Sequence, residues 1–80
     1  MTFLYSKSSL KYLAKIEIDL RVKIVNAIED IPYRGDIRKM RGRRLQNIYR
    51  LRVGKYRVLF LSEQDMIQIL EIDTRGDIYK

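Results

Sequence analysis

The stretch Ile48-Tyr49-Arg50-Leu51-Arg52-Val53-Gly54-Lys55-Tyr56-Arg57-Val58-Leu59-Phe60 decides the fold. Apolar and polar residues alternate at period 2 before Gly54-Lys55. After it, Tyr56, Val58 and Phe60 continue the alternation at even-numbered positions. Two residues beginning with glycine between such runs mark a β-hairpin closed by a type II′ turn. Counting outward from the turn pairs Val53 with Tyr56, Arg52 with Arg57, Leu51 with Val58 and Arg50 with Leu59. Side chains then sort by parity. Tyr49, Leu51, Val53, Tyr56, Val58 and Phe60 share a nearly apolar face that must pack on something, and the aromatic residues among them read as core. Arg50, Arg52 and Arg57 share the other face.

Beyond the hairpin, Ser62-Glu63-Gln64-Asp65 is a polar turn and Met66 to Ile72 a third strand. The facing of that strand is ambiguous, because either Ile67 and Ile69 or Leu70 and Ile72 satisfy period 2. Thr74-Arg75-Gly76-Asp77 turns the chain again before Ile78-Tyr79-Lys80. Before the hairpin, Thr2 to Tyr5 is a short β-prone run, and Ser6, Ser8 and Ser9 offer N-caps to a helix with apolar positions Leu10, Leu13 and Ala14. Glu17 interrupts that stripe and Asp19 can cap, so the helix should break near Ile16–Ile18. A second helix carries Leu20, Ile24, Ala27, Ile28 and Ile31 on one side and ends at Pro32, which pushes the preceding residue out of the α region. The expectation is an α+β fold of order β-α-α-β-β-β, with two N-terminal helices on one face of a small antiparallel sheet. Eighty residues without a linker or repeat make residues 1–80 one domain.

Charge is the informative part of the composition. Residues 34–57 hold ten bases (Arg34, Arg38, Lys39, Arg41, Arg43, Arg44, Arg50, Arg52, Lys55 and Arg57) against Asp36 alone, whereas residues 58–80 hold two bases and five acids. A basic field this concentrated points to a polyanion, nucleic acid first. A solvated face is the plainer reading of a charge run, but solvated faces mix signs. Arg52 and Arg57 directly opposite each other instead destabilise the strand pair. Three guanidiniums on a stiff hairpin form a set of forked donors for phosphate oxygens, while Arg38, Lys39, Arg41, Arg43 and Arg44 form a basic loop anchored by Ile37 and Met40. Cysteine and histidine are absent, which removes disulfides and the commonest zinc sets and fits a reducing, cytoplasmic setting. No apolar run reaches the ~20 residues of a membrane span, and the N-terminus lacks a signal-peptide core.

Tyr49 to Phe60 resembles the YRLRVGxYRVxY core of the RelE/ParE toxin superfamily. Gly35-Asp36-Ile37-Arg38-Lys39-Met40-Arg41-Gly42 is similar to the segment that precedes that core, and Ile72 to Lys80 to the ending that many RelE-like members carry. The resemblance implies the toxin of a toxin–antitoxin pair: a ribosome-dependent endoribonuclease that cuts messenger RNA in the A site by attack of the substrate's 2′-hydroxyl, without metal or other cofactor. It implies phosphate-binding roles for Arg50, Arg52 and Arg57, and proton-transfer and stacking roles for Arg75 and Tyr79. Arg38, Lys39, Arg41, Arg43, Arg44 and Lys55 would contact ribosomal RNA. Arg50 and Arg52 stand where some members have lysines, and arginine is no ordinary general base. The base is therefore Tyr79, a ribosomal group, or absent. On the bare residues Arg75 also reads as a turn arginine and Tyr79 as a packing aromatic. The implied partners are an antitoxin covering the arginine face, the ribosome with its message, and operator DNA only through the antitoxin. A ParE-like inhibitor of DNA gyrase, without nuclease activity, is the alternative, since both branches share the hairpin core.

Overall fold

The computed structural model describes residues 1–42 and 46–74. Along the chain run β1 (Thr2–Tyr5), α1 (Lys7–Lys15), α2 (Ile18–Glu29), β2 (Asp36–Lys39), β3 (Ile48–Val53), β4 (Tyr56–Glu63) and β5 (Met66–Asp73). The strands form one sheet in the order β1-β5-β4-β3-β2, with both helices on one face. The hairpin pairs in the expected register, from Val53 opposite Tyr56 to Arg50 opposite Leu59. Gly54 has φ +60° and Lys55 has no positive φ, the pattern of a type II′ turn.

Two expectations about the sheet need correction. It is mixed rather than antiparallel, because β1 pairs parallel to β5. The segment expected as a basic loop contains an edge strand, β2, which pairs antiparallel with β3 from Asp36 opposite Arg52 to Lys39 opposite Tyr49. Only Ile37 of that strand packs against the core, so nothing in Asp36-Ile37-Arg38-Lys39 announces period 2. Gly35 enters the strand at φ +137°, where a Cβ would lie 3.0 Å from Leu51 Cδ1. Glycine is thus required there both by backbone and by space.

The ambiguity in β5 resolves through a β-bulge. Leu59 faces Glu71 while Phe60 faces Ile69, so Leu70 is the extra residue, and a bulge changes the phase of alternation. Ile67 and Ile69 point into the core on one side of it and Ile72 on the other. The Leu70 carbonyl accepts hydrogen bonds from the hydroxyls of Ser6 at 2.9 Å and Ser8 at 3.3 Å. Ser6 is also the N-cap of α1, its Oγ accepting the Ser9 N–H at 3.1 Å. One hydroxyl therefore ties the helix start to the bulge.

The helices break where expected, and Arg21 of α2 closes the C-terminus of α1 by donating to the carbonyls of Leu13 (2.7 Å) and Ile16 (3.3 Å), groups with no partner inside the helix. Glu17, not Asp19, occupies the N-cap of α2. Leu10 is exposed rather than facing the core, while Leu13 is buried. Ile24 and Ile28 are fully buried against Leu51, Val58, Phe60, Ile67, Ile69 and Ile72, with Tyr49 and Tyr56 half-buried at the margin. No helix among the described residues is long and apolar enough to cross a membrane.

Candidate functional site

The face of the sheet away from the helices carries the arginines, and the registers of all three antiparallel pairs arrange them in rows. One row runs Asp36–Arg52–Arg57–Asp73 across β2, β3, β4 and β5. The next runs Arg38–Arg50–Leu59–Glu71. Neighbouring strands lie about 4.8 Å apart, so each row is roughly 14 Å long. Arg50, Arg52 and Arg57 are thus immediate neighbours, as alternation along the hairpin requires. Arg38 joins them from the edge strand.

Their environments differ. Arg52 is about half exposed, with Nε 3.9 Å from Asp36 Oδ2; so open a pair adds little stability. Arg50 is only 7% exposed even though no helix among the described residues covers this face. Arg57 is half-buried, and its Nε is shut off from solvent without a hydrogen-bond partner among the described residues. A buried donor left unmatched costs about 1–3 kcal/mol. Such a group is an expensive way to decorate a surface and an effective way to bind an acceptor. Arginine supplies that donor in a flat fork matching two phosphate oxygens.

The remaining expected contacts divide. Lys39 has the opposite parity to Arg38 and is exposed at the sheet edge. Arg38, Lys39, Met40, Arg41, Gly42 and Gln46 line an open cleft of about 810 Å³. Lys55 sits in the hairpin turn with Nζ 5.8 Å from the Tyr56 ring centroid, a weak cation–π contact. Arg43 and Arg44, and the expected catalytic pair Arg75 and Tyr79, lie outside the described residues.

Two residues of the face escaped the sequence reading: Asp36 and Asp73. Alternation within one strand cannot reveal them, because each joins the row only through the register of its strand with a neighbour. The signal available was the excess of acids after residue 57. Asp73 is further anchored by its own backbone, its Oδ1 accepting the Thr74 N–H at 2.6 Å. Near it, the Tyr12 phenol is pushed above its ordinary pKa chiefly by burial. A Thr74 side-chain hydrogen bond pulls down, and Tyr56 and Asp73 add to the rise. Tyr12 therefore stays protonated at neutral pH.

No protein-family model matches the sequence and no curated protein matches it. Solved structures do resemble it. A chain of the RelB–RelE antitoxin–toxin complex from Methanococcus jannaschii is 29% identical, over 95% of this chain and 94% of that one, with a TM-score of 0.74. The RelE–RelB complex from Pyrococcus horikoshii is similar at 22% identity, covering 94% of each chain with a TM-score of 0.76. The YoeB–YefM complex from Staphylococcus aureus is similar at 17% identity, covering 91% of this chain and 94% of that one with a TM-score of 0.71. The latter two bear on fold alone. With the likeness extending over nearly the whole of each chain, the chain belongs by its fold to the RelE/ParE toxin superfamily.

Proposed function

We propose that this protein is the toxin of a toxin–antitoxin pair and that it cleaves messenger RNA in the ribosomal A site. The observation that carries the reading is Arg57: a half-buried arginine whose Nε has no hydrogen-bond partner among the described residues, directly opposite Arg52 and diagonal to Arg50 on the face of the sheet away from the helices. In the reaction, the RNA 2′-oxygen loses its proton and attacks the adjacent phosphorus, and the bond to the 5′-oxygen breaks. The departing 5′-oxygen takes up a proton, so the products are a 2′,3′-cyclic phosphate and a 5′-hydroxyl. Charge grows on the non-bridging oxygens as the bond forms, and preorganised guanidiniums stabilise it there more than in the ground state. Arg50, Arg52 and Arg57 take this part.

Arginine does not give up its proton at neutral pH, so proton transfer belongs to Tyr79 or to the ribosome, and Arg75 assists by its charge. Arg38, Lys39, Arg41, Arg43, Arg44 and Lys55 supply affinity for ribosomal RNA. The similar structures from Methanococcus, Pyrococcus and Staphylococcus are two-protein complexes, the first an antitoxin–toxin complex, which supports an antitoxin as the partner; its place in this reading is over the arginine face. Its target places the toxin in the cytoplasm.

The test is controlled expression of the wild-type chain beside Arg57→Ala and Tyr79→Ala. Messages cut within translated codons, with cutting lost in both variants, are the expected result. Intact messages together with DNA-damage signalling would overturn the reading in favour of gyrase inhibition.

A further inference from the structure

The row Asp36–Arg52–Arg57–Asp73 holds more than a phosphate clamp needs. Two arginines would supply the charge, yet each has a carboxylate on its outer flank, and the row carries no net formal charge. As devices for affinity the aspartates work against the site, because they weaken the potential that draws in a polyanion. As devices for stability they do little, since the Asp36–Arg52 pair is long and half exposed. Their effect is on direction. Opposed guanidiniums on flexible stems repel and swing apart unless something fixes each of them. Asp36 lies within 3.9 Å of Arg52 Nε. Asp73 stands directly opposite Arg57, its carboxylate oriented by the Thr74 N–H at 2.6 Å.

We propose that Asp36 and Asp73 are positioning residues, which hold Arg52 and Arg57 so that both face a single RNA phosphate; the proposal rests on the phosphate-clamp reading of this face. Neither aspartate touches substrate. Their signature is a split between affinity and rate. Removing a carboxylate strengthens attraction to RNA while loosening the guanidinium, and loss of alignment lowers the rate of the bound complex.

Single-turnover cleavage of messenger RNA on programmed ribosomes tests this in the 80-residue chain, with Asp36→Asn, Asp73→Asn and Asp73→Glu. Each asparagine variant should half-saturate at about threefold to tenfold lower concentration at low salt. Its saturating rate should nonetheless fall about tenfold, and Asp73→Glu should recover most of that loss. Unchanged saturating rates in both asparagine variants would overturn the assignment, as would a rate loss matched by lost binding.

A second readout needs no cleavage: the arginine Nε–Hε nuclear magnetic resonance signals during titration with inorganic phosphate. In the wild type the Arg52 and Arg57 signals should be resolved and should shift together. In the asparagine variants the signal of the facing arginine should broaden toward the bulk position. Phosphate-dependent shifts in a wild type that cuts no RNA would defeat the nuclease reading and leave the positioning roles standing. Wild-type signals in the asparagine variants would defeat the positioning roles alone.

Discussion

The two faces of the β3–β4 hairpin are built from the same twelve consecutive residues and answer to different demands. Toward the helices, Leu51, Val53, Val58 and Phe60 are each no more than 7% exposed, and Tyr49 stacks on Phe60 with ring centroids 5.6 Å apart. Away from the helices, Arg52 faces Arg57 and Arg50 faces Leu59. In a domain this small the first face must supply most of the stability, since a single core of such size contributes about 3–5 kcal/mol. The second face places like charges opposite each other and leaves a buried donor unmatched, both of which lower stability. Folding and chemistry are thus separated by parity alone. Substitutions one residue apart in sequence should have opposite characters.

The largest effect is expected from Phe60→Ala. Truncating a buried phenylalanine costs about 3–5 kcal/mol, comparable to the whole stability of the core, so the variant should lose its circular-dichroism signal and its cooperative urea transition. Arg57→Ala should keep both. Relief of the opposed pair is worth about 0.2–1 kcal/mol, so its urea midpoint should stay or rise while cleavage is lost. Unfolding of Arg57→Ala to the same extent as Phe60→Ala would break the division between the faces.

The same contrast governs how much could be read from sequence. The hairpin was legible residue by residue because its turn chemistry and alternation are local properties, and they bring Arg50, Arg52 and Arg57 together without further information. The helix break and the α2 stripe were legible for the same reason. What escaped depends on partners distant in sequence. The parallel pairing of β1 with β5 has no local signature. β2 is four residues at a sheet edge, with a single apolar side chain against the core, so its charges read as a loop. In β5 the bulge at Leu70 changes phase in mid-strand, and each of the two competing facings described half of it. Asp36 and Asp73 escaped for a combined reason: one lies on the unrecognised strand, the other beyond the phase change.

That bulge offers the next comparison, between two serines at the start of α1. Ser6 caps the helix and donates to the Leu70 carbonyl at 2.9 Å, whereas Ser8 reaches the same carbonyl only at 3.3 Å from an exposed position. Loss of an N-cap costs about 1 kcal/mol, and loss of the shorter hydrogen bond to the Leu70 carbonyl adds to it. Ser6→Ala should lower the unfolding free energy by about 1–2 kcal/mol in urea titration, and Ser8→Ala by no more than about 0.5 kcal/mol. Equal losses would mean that the bulge is held by the ladder and not by the helix cap.

The smallest effect separates the arginines of the outer face from one another. Arg38 and Arg50 are opposite partners in the β2–β3 ladder, but Arg38 is exposed at the edge and Arg50 is buried. An exposed arginine at an open cleft contributes a counterion-releasing phosphate contact and little geometry. Arg38→Gln should therefore reduce the slope of log affinity against log salt by about one contact for ribosome binding, with the saturating cleavage rate unchanged. Arg50→Gln should lower that rate as well, because a guanidinium fixed within the sheet can be aimed at one phosphate oxygen. If Arg38→Gln lowered the saturating rate as strongly as Arg50→Gln, the clamp would extend to the edge strand. The division between the affinity cleft and the proposed arginine clamp would then have to be redrawn along β2.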